Sequence, residues 1–169
     1  MLFAQFAKPR LARPPLAFHH PVVLLATWFG AGLLRPAPGS WGSLAALPLA
    51  WLLSRAGGPF WLGSATVAVF ILGCWAAGRY AAAEGRADPA SVVIDEVAGQ
   101  WLVLLFTPFS PFQYLLGFAL FRLFDIAKPW PVSWADQQIK GGLGIMLDDV
   151  IAGLYGLAAL SLAKYLQAL

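Results

Sequence analysis

Two carboxylate doublets, Asp95-Glu96 and Asp148-Asp149, each stand at the entrance of an apolar stretch, where ionised groups are costly unless paired, hydrated or bound to a cation. One acid there is explained by capping, since carboxylates favour the positive end of the helix macrodipole. A second adds like-charge repulsion that a divalent cation relieves. A glycine follows each doublet by about a turn, Gly99 in IDEVAG and Gly153 in LDDVIAG, and small residues let helices approach closely. The doublets therefore point to one shared site. Carboxylate oxygens without neighbouring His or Cys suit Mg²⁺, which keeps several waters and takes further ligands from a phosphate. Asp95, Glu96, Asp148 and Asp149 are the candidate metal ligands.

Arg122, Asp125 and Lys128 share one helical face by i, i+3 spacing in FRLFDIAKPW, and two cations beside a carboxylate fit phosphate recognition. The plainer alternative is a surface ladder of charges, with Trp130 and Trp134 as an aromatic belt at headgroup level. Two glycine-rich loops are candidate anion sites: Pro38-Gly39-Ser40-Trp41-Gly42-Ser43, with Arg35 before it, and Gly141-Gly142-Leu143-Gly144, with Lys140 before it. Each precedes a predicted helix, where free backbone N–H groups can face a phosphate.

The elements that must position these groups are membrane helices. Of 169 residues, 60% are hydrophobic and 11% charged, which excludes a disordered chain and a solvated globular surface. The net charge of +3 is scattered, so anionic lipid is the expected partner and nucleic acid is not. The lone Cys74 excludes an internal disulfide, and His19-His20 read as an interfacial segment. The predicted fold is all-α: a compact multi-helix integral membrane protein with short or re-entrant N-terminal helices. Residues 1–20 read as a basic cytoplasmic segment with Lys8, Arg10 and Arg13, and residues 21–169 as a single domain.

Uncharged stretches run over 14–34, 36–54, 56–78, 97–121 and 150–163, where a full span needs about 20 apolar residues. A short helix over 22–34, another over 41–53 containing Pro48, and a clean span over 60–78 are predicted. The last helix crosses if Lys164 snorkels to the interface. Pro108 and Pro111 in TPFSPF predict a hairpin with arms of about 92–107 and 112–127. Residues 1–83 hold no acid, and all eight acids lie between Glu84 and Asp149. With the amino end inside and the hairpin formed, every acid comes out on the cytoplasmic side, together with Arg79, Arg86, Arg122, Lys128 and Lys140.

PGSWGSLAALP, SVVIDEVAGQW and FRLFDIAKPWPVSWAD followed by GGLGIMLDDVIAG, in that order from about Pro21 to Gly156, resemble the phosphatidylglycerophosphatase A family. The resemblance implies a helical, Mg²⁺-dependent enzyme of the bacterial inner membrane that hydrolyses phosphatidylglycerophosphate to phosphatidylglycerol and phosphate. It also implies that the family's acidic residues fall on Asp95, Glu96, Asp125, Asp148 and Asp149, its basic ones on Arg122 and Lys128, and its loop on Gly39, Ser40, Gly42 and Ser43. The expected chemistry is metal-assisted hydrolysis, with Arg122 and Lys128 neutralising the monoester. Asp125 is left as ligand, general base or covalent nucleophile. A small transporter or channel is the rival reading, and it predicts acids spread in depth through a bundle. A CDP-alcohol phosphotransferase ranks lower, because its Asp-Gly-…-Ala-Arg signature is absent.

Overall fold

Pro38 opens the longest helix of the computed structural model, which describes residues 10–167. Lys8 and the rest of residues 1–9 in the expected basic segment lie outside the described residues. The helices are α1 (Pro21–Ala26), α2 (Pro38–Glu84), α3 (Ile94–Leu104), α4 (Pro111–Ala127), α5 (Val132–Gln138) and α6 (Gly141–Gln167). A two-residue antiparallel pairing of Arg10–Leu11 with Leu34–Arg35 is the extent of strand structure among the described residues. His20 caps α1, its Nδ1 accepting from the Val22 N–H at 3.2 Å. A 3-10 turn, Ala31–Leu33, follows, so the expected helix over 22–34 is two shorter pieces.

The 47 residues of α2 would reach about 70 Å if straight. They are instead broken at Gly57 and Gly58, the latter at φ 63° and ψ −154°, a conformation open to glycine, and Pro59 restarts the helix. Both outer ends converge on the start of α3. A Cβ on Gly42 would meet Val93, and one on Gly73 would meet Met146 and Ile94. The two arms, 38–56 and 59–84, thus lie side by side. They correspond to the separate helices expected at 41–53 and 60–78, each extended outward.

α3 is the innermost helix because its sequence is apolar on nearly every side. Ile94 and Ala98 pack with Val23, Ala77 and Met146. Val97, Trp101 and Leu104 pack with Ala46, Ala50 and Leu62. Val103 packs with Phe121, Ala152 and Leu160. Trp101 also donates from Nε1 to the Ala46 carbonyl at 2.9 Å, satisfying its one polar atom. At 11 residues α3 is about 16 Å long, too short to cross a ~30 Å hydrocarbon core. The chain turns back at Pro108–Pro111 into α4, giving the hairpin expected from TPFSPF, with its first arm ending at Leu104.

α6 begins at Gly141 rather than just before its acids, which corrects one expectation: Asp148 and Asp149 lie two turns inside the helix, so they do not cap it. The GGLG run is helical because its small residues pack: a Cβ on Gly142 would strike the Cys74 carbonyl, and one on Gly144 the Ile139 carbonyl. α2 and α6 are long and apolar enough to cross a membrane. Lys164 donates to the Phe106 carbonyl at 2.9 Å, which places the end of α6 beside the α3–α4 turn, opposite the end that holds the acids.

Candidate active site

The starts of α2, α3 and α6 and the end of α4 meet at one end of the bundle. They enclose a cavity of about 430 Å³ lined by Gly39, Asp95, Glu96, Arg122, Asp125, Lys128, Asp136, Gly141, Asp148 and Asp149, among others. Residues of the first turns of α2, α3 and α6 line it, and backbone N–H groups at helix starts favour anions. The small residues set the distances. A Cβ on Gly99 would lie 2.5 Å from the Asp149 carbonyl oxygen, and one on Gly153 would lie 2.6 Å from the Gly99 carbonyl oxygen. The backbones of α3 and α6 therefore touch, and their doublets come together.

Asp95, Glu96 and Asp149 each offer a carboxylate oxygen, and these atoms all lie within 4.8 Å of one another. Asp95 Oδ1 and Glu96 Oε2 are buried without a hydrogen-bond partner. Burial, then the charges of Glu96 and Asp149, holds the Asp95 carboxyl well above the usual carboxylate range. Burial pushes Glu96 up to about 7, the neighbouring Asp95 carboxyl and Arg122 opposing the rise and Asp125 adding to it. Two orphaned hard oxygens beside a third, repelling carboxylate are what a divalent cation satisfies, so Asp95, Glu96 and Asp149 fit Mg²⁺.

Asp148, expected as the fourth ligand, is engaged elsewhere: its Oδ2 accepts from Lys128 Nζ at 2.8 Å. Arg122 Nη1 lies 3.6 Å from Glu96 Oε1 and donates to Asp125 Oδ2, one turn away on the same helix. Lys128 does not extend that ladder regularly. It ends α4 in a left-handed conformation, φ 42°, and turns its ammonium to Asp136 and Asp148.

The two glycine segments are corrected by the structure. Neither is a loop; both are opening turns of helices, α2 and α6. Gly39 and Gly141 line the cavity, whereas Ser40, Gly42, Ser43 and Gly142 do not. Gly42 packs on Val93, and Ser43 is buried with its hydroxyl donating to the Gly39 carbonyl at 2.8 Å. Arg35 is turned to Ser91, Nη2 donating to Oγ at 3.0 Å. Sequence reasoning passed over two residues. Asp136 reaches Lys128 only because the chain reverses at Pro129–Pro131. Gln100, one turn after Glu96, is fully buried with both amide atoms unpartnered, and a polar amide in a buried helix was its available signal.

A sequence profile of the Phosphatidylglycerophosphatase A family matches residues 24–164, a range that contains every acid lining the cavity. The chain belongs to this family. It is 43% identical to a Haemophilus influenzae protein named phosphatidylglycerophosphatase A, over 86% of this chain and 90% of that one. It is 39% identical to the Escherichia coli protein of the same name, over 85% of this chain and 84% of the other. A Bacteroides thetaiotaomicron protein, 39% identical over 85% of this chain and 93% of its own, is named as a proposed phosphatidylinositol-3-phosphatase. No solved structure matches. In this member of the phosphatidylglycerophosphatase A family, both doublets and Lys128, the first residue of KPWP, line one cavity.

Proposed function

We propose that this protein hydrolyses the phosphomonoester of phosphatidylglycerophosphate, with Mg²⁺, to phosphatidylglycerol and phosphate. The observation that carries the reading is the trio of half-buried Asp95 and Glu96 with buried Asp149, within 4.8 Å, beside Arg122. Mg²⁺ held by those three carboxylates would offset most of their charge and polarise the phosphoryl group. Arg122, fixed by Asp125, offers its guanidinium to the non-bridging oxygens, and Lys128 adds a second cation at the cavity wall. The α2 N-terminus at Gly39 supplies backbone dipole to the same anion. Asp125 and a water remain the two candidates for attack on phosphorus, and oxygen exchange in labelled water under single turnover separates them.

In this reading α2 and α6 cross the bacterial inner membrane, the α3–α4 hairpin enters it part-way, and the cavity faces the cytoplasm. Acids gathered at one end, rather than spaced along the bundle, favour phosphate chemistry over an ion pathway.

The test is phosphate release by purified protein from phosphatidylglycerophosphate with and without Mg²⁺, with phosphatidylinositol 3-phosphate as a parallel arm because of the Bacteroides relative. Release in the first arm, abolished by chelator, is expected. Release from the inositol lipid alone would replace the substrate. A finer check is Gly39→Ala, whose new methyl would collide with Glu96 Oε1 and come within 2.9 Å of Arg122 Nη1. A displacement of about 1 Å in these groups is expected to slow release roughly 10- to 100-fold while circular dichroism stays unchanged. Wild-type turnover in this variant would detach the start of α2 from the site.

A further inference from the structure

Lys128 Nζ lies 2.6 Å from Asp136 Oδ1 and 2.8 Å from Asp148 Oδ2, so carboxylates from two other helices hold one ammonium. An ammonium has three N–H donors, and these contacts use two. The third is left for the cavity that Lys128, Asp136 and Asp148 all line. Lysine is a point charge on a flexible stem, and one partner would leave it free to swing; two partners from different directions fix it.

The position of Asp136 is itself set by packing. α5 has buried residues at Val132 and Ala135, and Val132 lies with Phe121, Ala152 and Leu160 in the cluster joining α4 to α6. Asp136, next in the chain after Ala135, is carried to the cavity by that apolar anchor. It stands apart from the Asp95, Glu96 and Asp149 trio, and it leaves Asp148 paired rather than adding a fourth repelling charge to that trio.

We propose that Asp136 is a positioning residue for the phosphate subsite: together with Asp148 it fixes the Lys128 ammonium so that the remaining N–H meets an oxygen of the phosphomonoester. This rests on the phosphatase reading given above.

The experiment uses the full chain in detergent with Mg²⁺. It measures kcat and KM on phosphatidylglycerophosphate and, separately, the rate at which acetic anhydride modifies Lys128, followed by mass spectrometry with and without inorganic phosphate. Asp136→Ala is expected to raise KM about tenfold with kcat within about threefold, and to speed Lys128 acetylation about fivefold or more. Asp136→Glu should recover both. Inorganic phosphate should protect Lys128 in the wild type and not in Asp136→Ala. The double variant with Lys128→Ala should be no worse than Lys128→Ala alone.

Unchanged KM and lysine reactivity in Asp136→Ala would overturn the proposal, as would additive losses in the double variant. An inactive wild type whose Lys128 is still protected by phosphate would sink the reaction and keep the subsite. An active wild type with no phosphate protection would sink the subsite and keep the reaction.

Discussion

Asp149→Asn is expected to lower Mg²⁺-dependent phosphate release roughly a thousandfold or more, because a neutral amide cannot replace the carboxylate that completes the trio with Asp95 and Glu96. The same change should stabilise the metal-free protein. Asp149 is 3% exposed and sits among like charges, so removing its charge removes repulsion that solvent screens only weakly. For a chain of this length each kcal/mol gained appears as about 2–4 °C in the melting temperature. With chelator present, the variant should therefore melt above the wild type. On adding Mg²⁺ the wild type should rise and the variant should not, since only binding to the folded state moves the midpoint. Normal turnover in Asp149→Asn, or an unaltered response to Mg²⁺, would remove this residue from the cation site.

Gly153→Ala tests what brings the doublets together. Its new methyl would lie 2.6 Å from the Gly99 carbonyl oxygen and 3.0 Å from the Gly99 Cα, and backbone cannot swing aside as a side chain can. α6 has to move away from α3, at a cost of about 1–3 kcal/mol, and Asp149 moves with it. Activity should fall about a hundredfold through misplacement alone, and the melting temperature should drop by roughly 5 °C. Gly63→Ala is the control: its Cβ would meet only Leu105 Cδ1, at 3.4 Å, an ordinary contact, and alanine is the better helix former. Equal effects at the two positions would mean that the loss reflects helical glycine in general, not the α3–α6 approach.

Much of this arrangement was legible in the sequence because it rests on short-range rules. The spacing of Gly99 behind Asp95-Glu96 and of Gly153 behind Asp148-Asp149 announced two helices in close approach, and TPFSPF announced a reversal. What stayed hidden depends on neighbours distant in the chain. PGSWGS and GGLG have the composition of phosphate loops, yet they are helical, since Val93, Glu96 and the Cys74 carbonyl crowd the places where side chains would go. Adjacency in sequence groups Asp148 with Asp149. On a helix adjacent residues point about 100° apart, so one meets the trio while the other meets Lys128. Asp136 carried no pattern at all, because its partner is eight residues back across a change of direction.

With α3 supplying side chains to all three interior clusters, no part of the bundle can loosen without exposing a surface of that one short helix. Cooperativity follows: hydrogen exchange at the protected amides of α2, α4 and α6 should converge on a single opening free energy, with no hairpin behaving as a separate foldon.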